Sequence, residues 1–294
     1  MVIFICGDVI NIILHKSFSL NKIKSLFLLD IQMKPHVVVF DLDETLGFFS
    51  SLGVFCSCLN YVLDDKRFYQ HNFNKIMDLY PEFLRPGILN ILKYLKQKKR
   101  TKTCSKVIIY TNNRGPKEWT VQIKDYLDDK IDYKLFDHII AAFKVNGRHV
   151  EIGRTTHEKN MGDFLNCTNL PKNTQVFFLD DQHHMGMEDK NVYYINLFPY
   201  VHHLEWHIMI DRFWDAFKDV IDDSITKSYF TSQMMTCIKN YNIRIERKDE
   251  DEYEAEKVVS MRIIKHLKEF FSDGSNHTYR IKEAPKRRTR RKKL

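Results

Sequence analysis

The sequence predicts an α/β fold built on a mostly parallel sheet with helices on both faces, and three observations carry that expectation. Val37-Val38-Val39-Phe40, Val107-Ile108-Ile109-Tyr110 and Val176-Phe177-Phe178-Leu179 are short, unalternated apolar runs rich in β-branched and aromatic residues. That is the pattern of strands buried on both faces. Stretches with helical apolar spacing separate them, as crossovers between parallel strands require. Each run also ends in polar residues: Asp41-Leu42-Asp43, Thr111-Asn112-Asn113 and Asp180-Asp181. A buried strand cannot hold charge in its middle, so these groups belong at strand ends. Open α/β sheets bind ligands at the carboxyl ends of their strands. If the three strands are parallel neighbours, Asp41, Asp43, Thr111, Asn112, Asp180 and Asp181 converge on one edge.

Residues 1–33 open with apolar Met1 to Cys6, but Asp8, Asn11, His15 and Lys16 break the apolar run. There is no run of about 20 uncharged apolar residues for a transmembrane helix, and the start lacks a basic n-region for a signal peptide. The stretch reads as an extension, and Met33, just before the first strand, is an alternative start. Residues 47–81 are aromatic-rich with few periodic signals, and Phe48, Phe49, Phe55, Phe68, Tyr69 and Phe73 are expected in the core. Arg85-Pro86-Gly87 opens a helix with Ile88, Ile91, Leu92 and Leu95 at helical spacing, ended by the lysines of 96–102. Pro116 suits a first helical turn, with Trp119, Ile123 and Tyr126 as its buried stripe. A short strand is expected within 136–143, then turns at Asn146-Gly147 and Gly153. Residues 158–167 form a helical stretch with Met161, Phe164 and Leu165 on one face, and Lys159 on it supplies a cation. Val192 to Ile195 is a further strand. Residues 202–223 form a helix with Trp206, Ile210, Phe213, Phe217 and Ile221 inward. His203 and His207 on that helix lack a third ligand, so zinc is not expected there.

The core domain spans 34–223, an ordinary size for one domain of about 150–200 residues. An extension covers 224–282, with residues 246–257 expected exposed and a final amphipathic helix around Val258 to Leu267. A basic disordered tail covers 283–294. Net charge is +8, and seven of those charges sit in Lys286 to Lys293. The rest of the chain is therefore nearly neutral, which argues against a broad nucleic-acid face on the folded part. The tail itself can contact nucleic acid, serve as a nuclear address or be no more than a solvated charge run. Six cysteines show neither a metal nor a disulfide framework, so a reducing, intracellular setting (cytoplasmic or nuclear) is expected.

Two carboxylates two residues apart can share one divalent cation and divide roles between nucleophile and proton donor. An isolated Asp-x-Asp also fits a capped strand-end turn. The order of the remaining motifs separates the two. Asp41-x-Asp43-x-Thr45 after a hydrophobic strand, then strand-Thr111, Lys159 and strand-Asp180-Asp181, resembles the haloacid-dehalogenase (HAD)-type phosphatases. More narrowly, Asp41-Leu42-Asp43-Glu44-Thr45-Leu46, with Leu84-Arg85-Pro86-Gly87 and Tyr110-Thr111, resembles the small phosphatases of the RNA polymerase II carboxy-terminal domain. The form Phe178-Leu179-Asp180-Asp181-Gln182-His183 is similar to versions carried by large DNA viruses. The resemblance covers roughly Pro35 to Tyr200.

It implies a Rossmann-like, HAD-like sheet and a Mg²⁺-dependent phosphatase. Asp41 would attack phosphorus and form an aspartyl-phosphate, and Asp43 would protonate the leaving oxygen and later activate water. Mg²⁺ would lie among Asp41, Asp180, Asp181 and the Asp43 backbone carbonyl. Thr45, Thr111, Asn112 and Lys159 would bind the phosphate. His183 and His184, by their position beside Asp180-Asp181, either line the cleft or stand behind it or on the surface, and are not expected to be catalytic. The 34 residues between Leu46 and Pro81, and the 47 between Thr111 and Lys159, leave no room for a large cap domain. An uncapped cleft suits phosphate on a polymer. The leading expectation is a protein serine/threonine phosphatase acting on a phosphorylated protein such as an RNA polymerase tail. The alternatives are a polynucleotide 3′-phosphatase and a non-catalytic binding module on the same fold, which would normally have lost Asp41 or Asp43.

Overall fold

A computed structural model describes residues 34–241, 250–273 and 279–280. Six parallel strands form one sheet in the order β3-β2-β1-β6-β7-β8. They are β1 (His36–Phe40), β2 (Lys106–Tyr110), β3 (His138–Ile140), β6 (Gln175–Asp180), β7 (Val192–Asn196) and β8 (Tyr279–Arg280). The three apolar runs expected as strands are β1, β2 and β6, adjacent in the interior of the sheet. Alternate residues of each face opposite cores. Val38, Phe40, Val107, Ile109, Phe177 and Leu179 enter one, while Val37, Val39, Ile108, Tyr110, Val176 and Phe178 enter the other. Burial on both faces is why these runs do not alternate.

One face is covered by α1 (Ser50–Val62), α2 (Phe68–Asp78), α3 (Ile88–Arg100), α4 (Lys117–Lys130), α6 (Trp206–Phe217), α7 (Lys227–Lys239) and α8 (Glu250–Asp273). The other is covered by α5 (Met161–Thr168), through Met161 and Phe164, with Met187 beside it. The fold is thus Rossmann-like and of the HAD type, without a large cap. Between Thr111 and Lys159 stands only the small antiparallel hairpin β4 (Lys144–Val145) and β5 (Arg148–His149), beyond α4 and β3.

Residues 47–81, poor in periodic signal, hold two helices. Leu52, Phe55, Cys56 and Leu59 are buried at helical spacing on α1, and Tyr69, Phe73, Ile76 and Met77 on α2. Neither start carries a capping side chain: Phe49 and Arg67 make no cap hydrogen bond. Tertiary burial, not local propensity, therefore sets these helices. Of the six aromatics expected in the core, five are buried and Phe68 packs against it half-buried.

The segment expected as an extension supplies α7 and α8. Thr226 caps α7, accepting from the Tyr229 N–H at 3.3 Å. Phe230 and Met234 on α7, and Ile263, Leu267 and Phe270 on α8, are buried in the same core as α1 and α3. The final amphipathic helix runs further back than Val258 to Leu267. In the charged stretch expected to be exposed, Glu256 is buried, because a buried arginine from a distant part of the chain meets it. The expectations for residues 1–33 and for the tail Lys286 to Lys293 lie outside the described residues.

Candidate active site

The site forms where the strand order reverses. Chain connectivity runs from β1 outward to β2 and β3 on one side, then to β6 and β7 on the other. The crevice at the carboxyl ends of β1 and β6 is the switch point where open α/β sheets bind ligands. Asp41 follows β1 directly, and its N–H continues the ladder to the Leu179 carbonyl at 2.9 Å. Asp180 ends β6 and Asp181 comes next. Thr111 stands just past β2, its N–H donating to the Ile140 carbonyl at 3.0 Å. Lys159 lies in the segment leading into α5, not on the helix. Asn160 is the N-cap, accepting from the Asp163 N–H at 2.7 Å. The cap turns the chain so that Lys159 points into the crevice.

These residues line a cleft of about 160 Å³, with Asp41, Asp43, Thr111, Asn112, Lys159, Asp180 and Asp181 all on its wall. Carboxylate oxygens of Asp41, Asp180 and Asp181 lie within 4.8 Å of one another. The Lys159 ammonium is bonded to Asp41 and, at 2.6 Å, to Asp180. Asp43 stands apart from the trio, accepting from Asn113 Nδ2 at 2.7 Å. Asn113 in turn donates its N–H to the Thr111 hydroxyl at 3.0 Å. The Asn112 side-chain oxygen is buried on the cleft wall with no partner. A side-chain amide can offer either an acceptor or donors to a ligand. Thr45 does not reach the cleft wall. It is buried beneath it, donating to Asp181 Oδ1 and accepting from the Asp181 N–H, both at 3.2 Å.

Charge in the site is unbalanced: four aspartates and Glu44 face one buried ammonium. Burial pushes the Asp41 carboxyl well above the ordinary range, more than Lys159 pulls it down. Burial also raises Asp43, against the Asn113 hydrogen bond. Asp181 is pushed up to about 6 by burial and by the neighbouring Asp180 and Glu44. Asp180 goes the other way. Burial would raise it, but Lys159 and the His184 ring outweigh that. Both Asp41 and Asp43 are thus pushed up, and a divalent cation among Asp41, Asp180 and Asp181 would favour the ionised form of Asp41 while leaving the Asp43 side chain outside the trio.

An oxygen-only donor set with excess negative charge fits a hard divalent cation of the Mg²⁺ type. Among the described residues no other such cluster exists, and His203 and His207 form none. The linkage predicts a stability signature. Asp181 has a folded-state pKa raised to about 6. The stability that its protonated form contributes is complete below the unfolded value of about 4 and is lost as pH rises through about 6. A cation that binds the ionised carboxylates offsets that loss at neutral pH and must displace protons in acid. Millimolar Mg²⁺ is therefore expected to raise the Tm by several degrees at about pH 7.5 and by clearly less at about pH 5. Equal shifts at both pH values, or none, would argue against the acidic cluster as the cation site.

Two buried arginines also shape the site. Arg154 donates to the carbonyls of Thr111 at 3.2 Å, Ala141 at 2.9 Å and His157 at 2.9 Å, with its guanidinium 4.9 Å from the Tyr110 ring centre. It fastens the end of β2 to the loop that brings in Lys159. It sits alone among turn residues, and no local pattern marks it. Arg85 was legible only as a motif residue before a helix. Of the two histidines after Asp181, His184 is buried between Glu158, at 3.0 Å from Nδ1, and Asp180, at 3.5 Å from Nε2. His183 is exposed and pairs with Glu188.

Among the described residues no helix is long and apolar enough to cross a membrane. Among known proteins, no family model matches the chain and no curated protein matches its sequence. Fold and geometry together give a Rossmann-like, HAD-type α/β fold with an aspartate cluster at its switch point, an arrangement consistent with a phosphatase-like catalytic and metal site.

Proposed function

We propose that the protein is a Mg²⁺-dependent phosphatase that removes phosphate from phosphoserine or phosphothreonine in a protein, as the small RNA polymerase II carboxy-terminal-domain phosphatases do. The observation that carries this is the pairing of Asp41 with Lys159 and Asp180 across the β1–β6 switch point, with Asp43 held two residues away by Asn113. Asp41 attacks phosphorus, forming an aspartyl-phosphate and splitting hydrolysis into two steps. Asp43, protonated at the start, gives its proton to the leaving serine or threonine oxygen, then takes one from the water that cleaves the aspartyl-phosphate. Lys159 holds a phosphoryl oxygen as a point cation, and Thr111 and Asn112 hold others by hydroxyl, backbone N–H and amide. Thr45 acts one layer back, by fixing Asp181. Mg²⁺ bound by Asp41, Asp180, Asp181 and the Asp43 carbonyl would neutralise the repulsion between nucleophile and phosphate. The uncapped cleft admits a loop of a phosphoprotein. The reading places the enzyme inside the cell, cytoplasmic or nuclear, in the form similar to those of large DNA viruses.

The basic tail Lys286 to Lys293 gives the competing reading, a polynucleotide 3′-phosphatase, its main support. Removing the tail isolates the cleft's own preference. The chain without 285–294 is expected to hydrolyse a phosphoserine peptide with a higher kcat/KM than a 3′-phosphorylated oligonucleotide, both at physiological salt. A ratio favouring the oligonucleotide by about tenfold, or about 1.4 kcal/mol of transition-state preference, would transfer the assignment to the nucleic-acid enzyme. No turnover of either, with Asp41 intact, would favour the binding module.

A further inference from the structure

We propose that the C-terminal helix α8 positions the catalytic loop through one buried relay, Glu256 to Arg85 to the Glu44–Thr45 backbone. The Arg85 side chain is 1% exposed and spends its donors on four acceptors. Its Nε donates to the Thr45 carbonyl at 2.8 Å. Nη2 donates to the carbonyls of Glu44 at 2.6 Å and Phe198 at 2.8 Å, and Nη1 to Glu256 Oε2 at 2.5 Å. Three of the four are backbone oxygens from two loops, one of which carries Glu44 of the cleft wall. The planar fork of arginine fixes their mutual geometry, which a lysine cannot do.

The loop it holds needs holding. Glu44 has φ +62°, a left-handed conformation that a non-glycine residue keeps only where its surroundings impose it. Gly47 closes the same turn so tightly that a Cβ there would meet the Phe83 carbonyl at 2.4 Å. Asp43 immediately precedes Glu44, and the Thr45 hydroxyl fixes Asp181. Arg85 therefore sets the proton donor on one side and a cation ligand on the other. A guanidinium this deeply buried needs a carboxylate, and Glu256, 171 residues away in sequence, supplies it.

The seat of α8 is specific at this point. The Ser260 hydroxyl donates to the Pro86 carbonyl, and at Gly87 (φ +78°) a Cβ would meet the Ser260 Cβ at 2.8 Å. Further along, Phe270 packs on Phe177 with ring centres 5.4 Å apart, so the helix is fixed to the sheet independently of Glu256. Among the described residues, none of α8 lines the cleft. Its influence on the reaction runs through Arg85, which makes Glu256 a positioning residue.

A pair that only stabilised the fold would, when weakened, lower all turnover alike or none. A pair that aims Asp43 affects leaving groups unequally, because a poor leaving group needs the proton and a good one does not. This arm rests on the proposed phosphatase activity. Glu256→Gln keeps the size and an acceptor for Nη1 and removes the charge. In the full chain it is expected to lower kcat/KM on an alkyl phosphate by about tenfold or more, a part of the 10²–10⁴ that general acid catalysis supplies. The kcat/KM of an aryl phosphate with an acidic phenol, which reports phosphoryl transfer to Asp41 and not the later water step common to both esters, should stay within about threefold. Met261→Gln, an exposed change on the same helix, should match the wild type throughout. If Glu256→Gln does not fold, Glu256→Asp, which keeps the charge but is one methylene shorter, carries the same measurements. Hydrogen exchange of the 42–47 segment reads the relay without any activity, and the variant should exchange faster there with the central strands unchanged. Equal losses on both phosphate esters with unchanged exchange at 42–47 would overturn the proposal. A wild type inactive on both esters overturns the phosphatase reading, and the exchange measurement then decides the relay alone.

Discussion

Asp41→Asn should abolish turnover while leaving the fold as stable as the wild type or more so. On the proposed mechanism the lost activity is that of the nucleophile. An amide oxygen does not attack phosphorus usefully, and loss of a nucleophile typically costs about 10⁴-fold or more. The stability expectation comes from the charge imbalance. Asp41 is buried, and burial outweighs its ammonium partner in raising its pKa. Its charge is thus a net cost in the cation-free fold. Asparagine fills the same space and still accepts from Lys159, which keeps its bond to Asp180 at 2.6 Å. The ladder bond from residue 41 to the Leu179 carbonyl is a backbone bond and survives. Circular dichroism and thermal unfolding should therefore show a folded protein with an unchanged or raised Tm, and phosphopeptide assays no measurable release above background. A pure, folded Asp41→Asn sample with wild-type-like hydrolysis would remove Asp41 as the nucleophile.

The central strands and the acidic edge were legible because one physical cause wrote both. Strands buried on two faces must be apolar throughout, so their ends show as the first polar residue, and in a parallel sheet those ends share one edge. Lys159 was legible as a cation between the motifs, though not as a pre-helix residue, because Asn160 competes as the cap. The helices of residues 47–81 were not legible, since neither has a capping start and α2 mixes its apolar stripe with Gln70, His71, Asn72 and Asn74. In the sequence Glu256 is one more charge in a run of them. Its partner Arg85 is 171 residues away, and nothing local distinguishes a glutamate that meets a buried arginine from one that meets water. Thr45 shows a finer limit. Its place in the motif suggests contact with phosphate, but its hydroxyl turns to Asp181. The direction of a side chain at the end of a tight turn depends on the backbone, here the left-handed Glu44. Arg154 left no trace because its three acceptors are backbone carbonyls, which any residue could provide.

Lys159→Met tests the electrostatic design in both activity and stability. The lysine side chain is 1% exposed, bonded to Asp41 and Asp180, with its ammonium 5.6 Å from the Tyr110 ring centre. Methionine is close in length and suits the aromatic surroundings, so the change removes charge more than volume. Without a point cation for the phosphoryl oxygens, kcat should fall by about 10²–10³-fold. Stability should also fall, because breaking a buried pair leaves uncompensated charge, typically at about 3–5 kcal/mol. The sign with pH is set by the carboxylates left behind. Lys159 pulls down both Asp41 and Asp180, and Asp180 lies below its ordinary range chiefly through it. In the variant Asp41, already above the unfolded value of about 4, rises further, and Asp180 rises from below it. The stability of their protonated forms is then present below about pH 4 and lost as pH rises through the raised values. Chelated Lys159→Met should therefore be much less stable than the wild type at about pH 7.5 and closer to it at about pH 5. Mg²⁺ at neutral pH should recover part of the stability, since a divalent cation replaces the missing charge, but not the activity. Combining the change with Asp41→Asn should cost less stability than the two singles predict, because neighbours in one charge cluster couple. A Lys159→Met protein whose unfolding midpoint is insensitive both to pH and to Mg²⁺ would show that Lys159 does not neutralise the aspartate cluster.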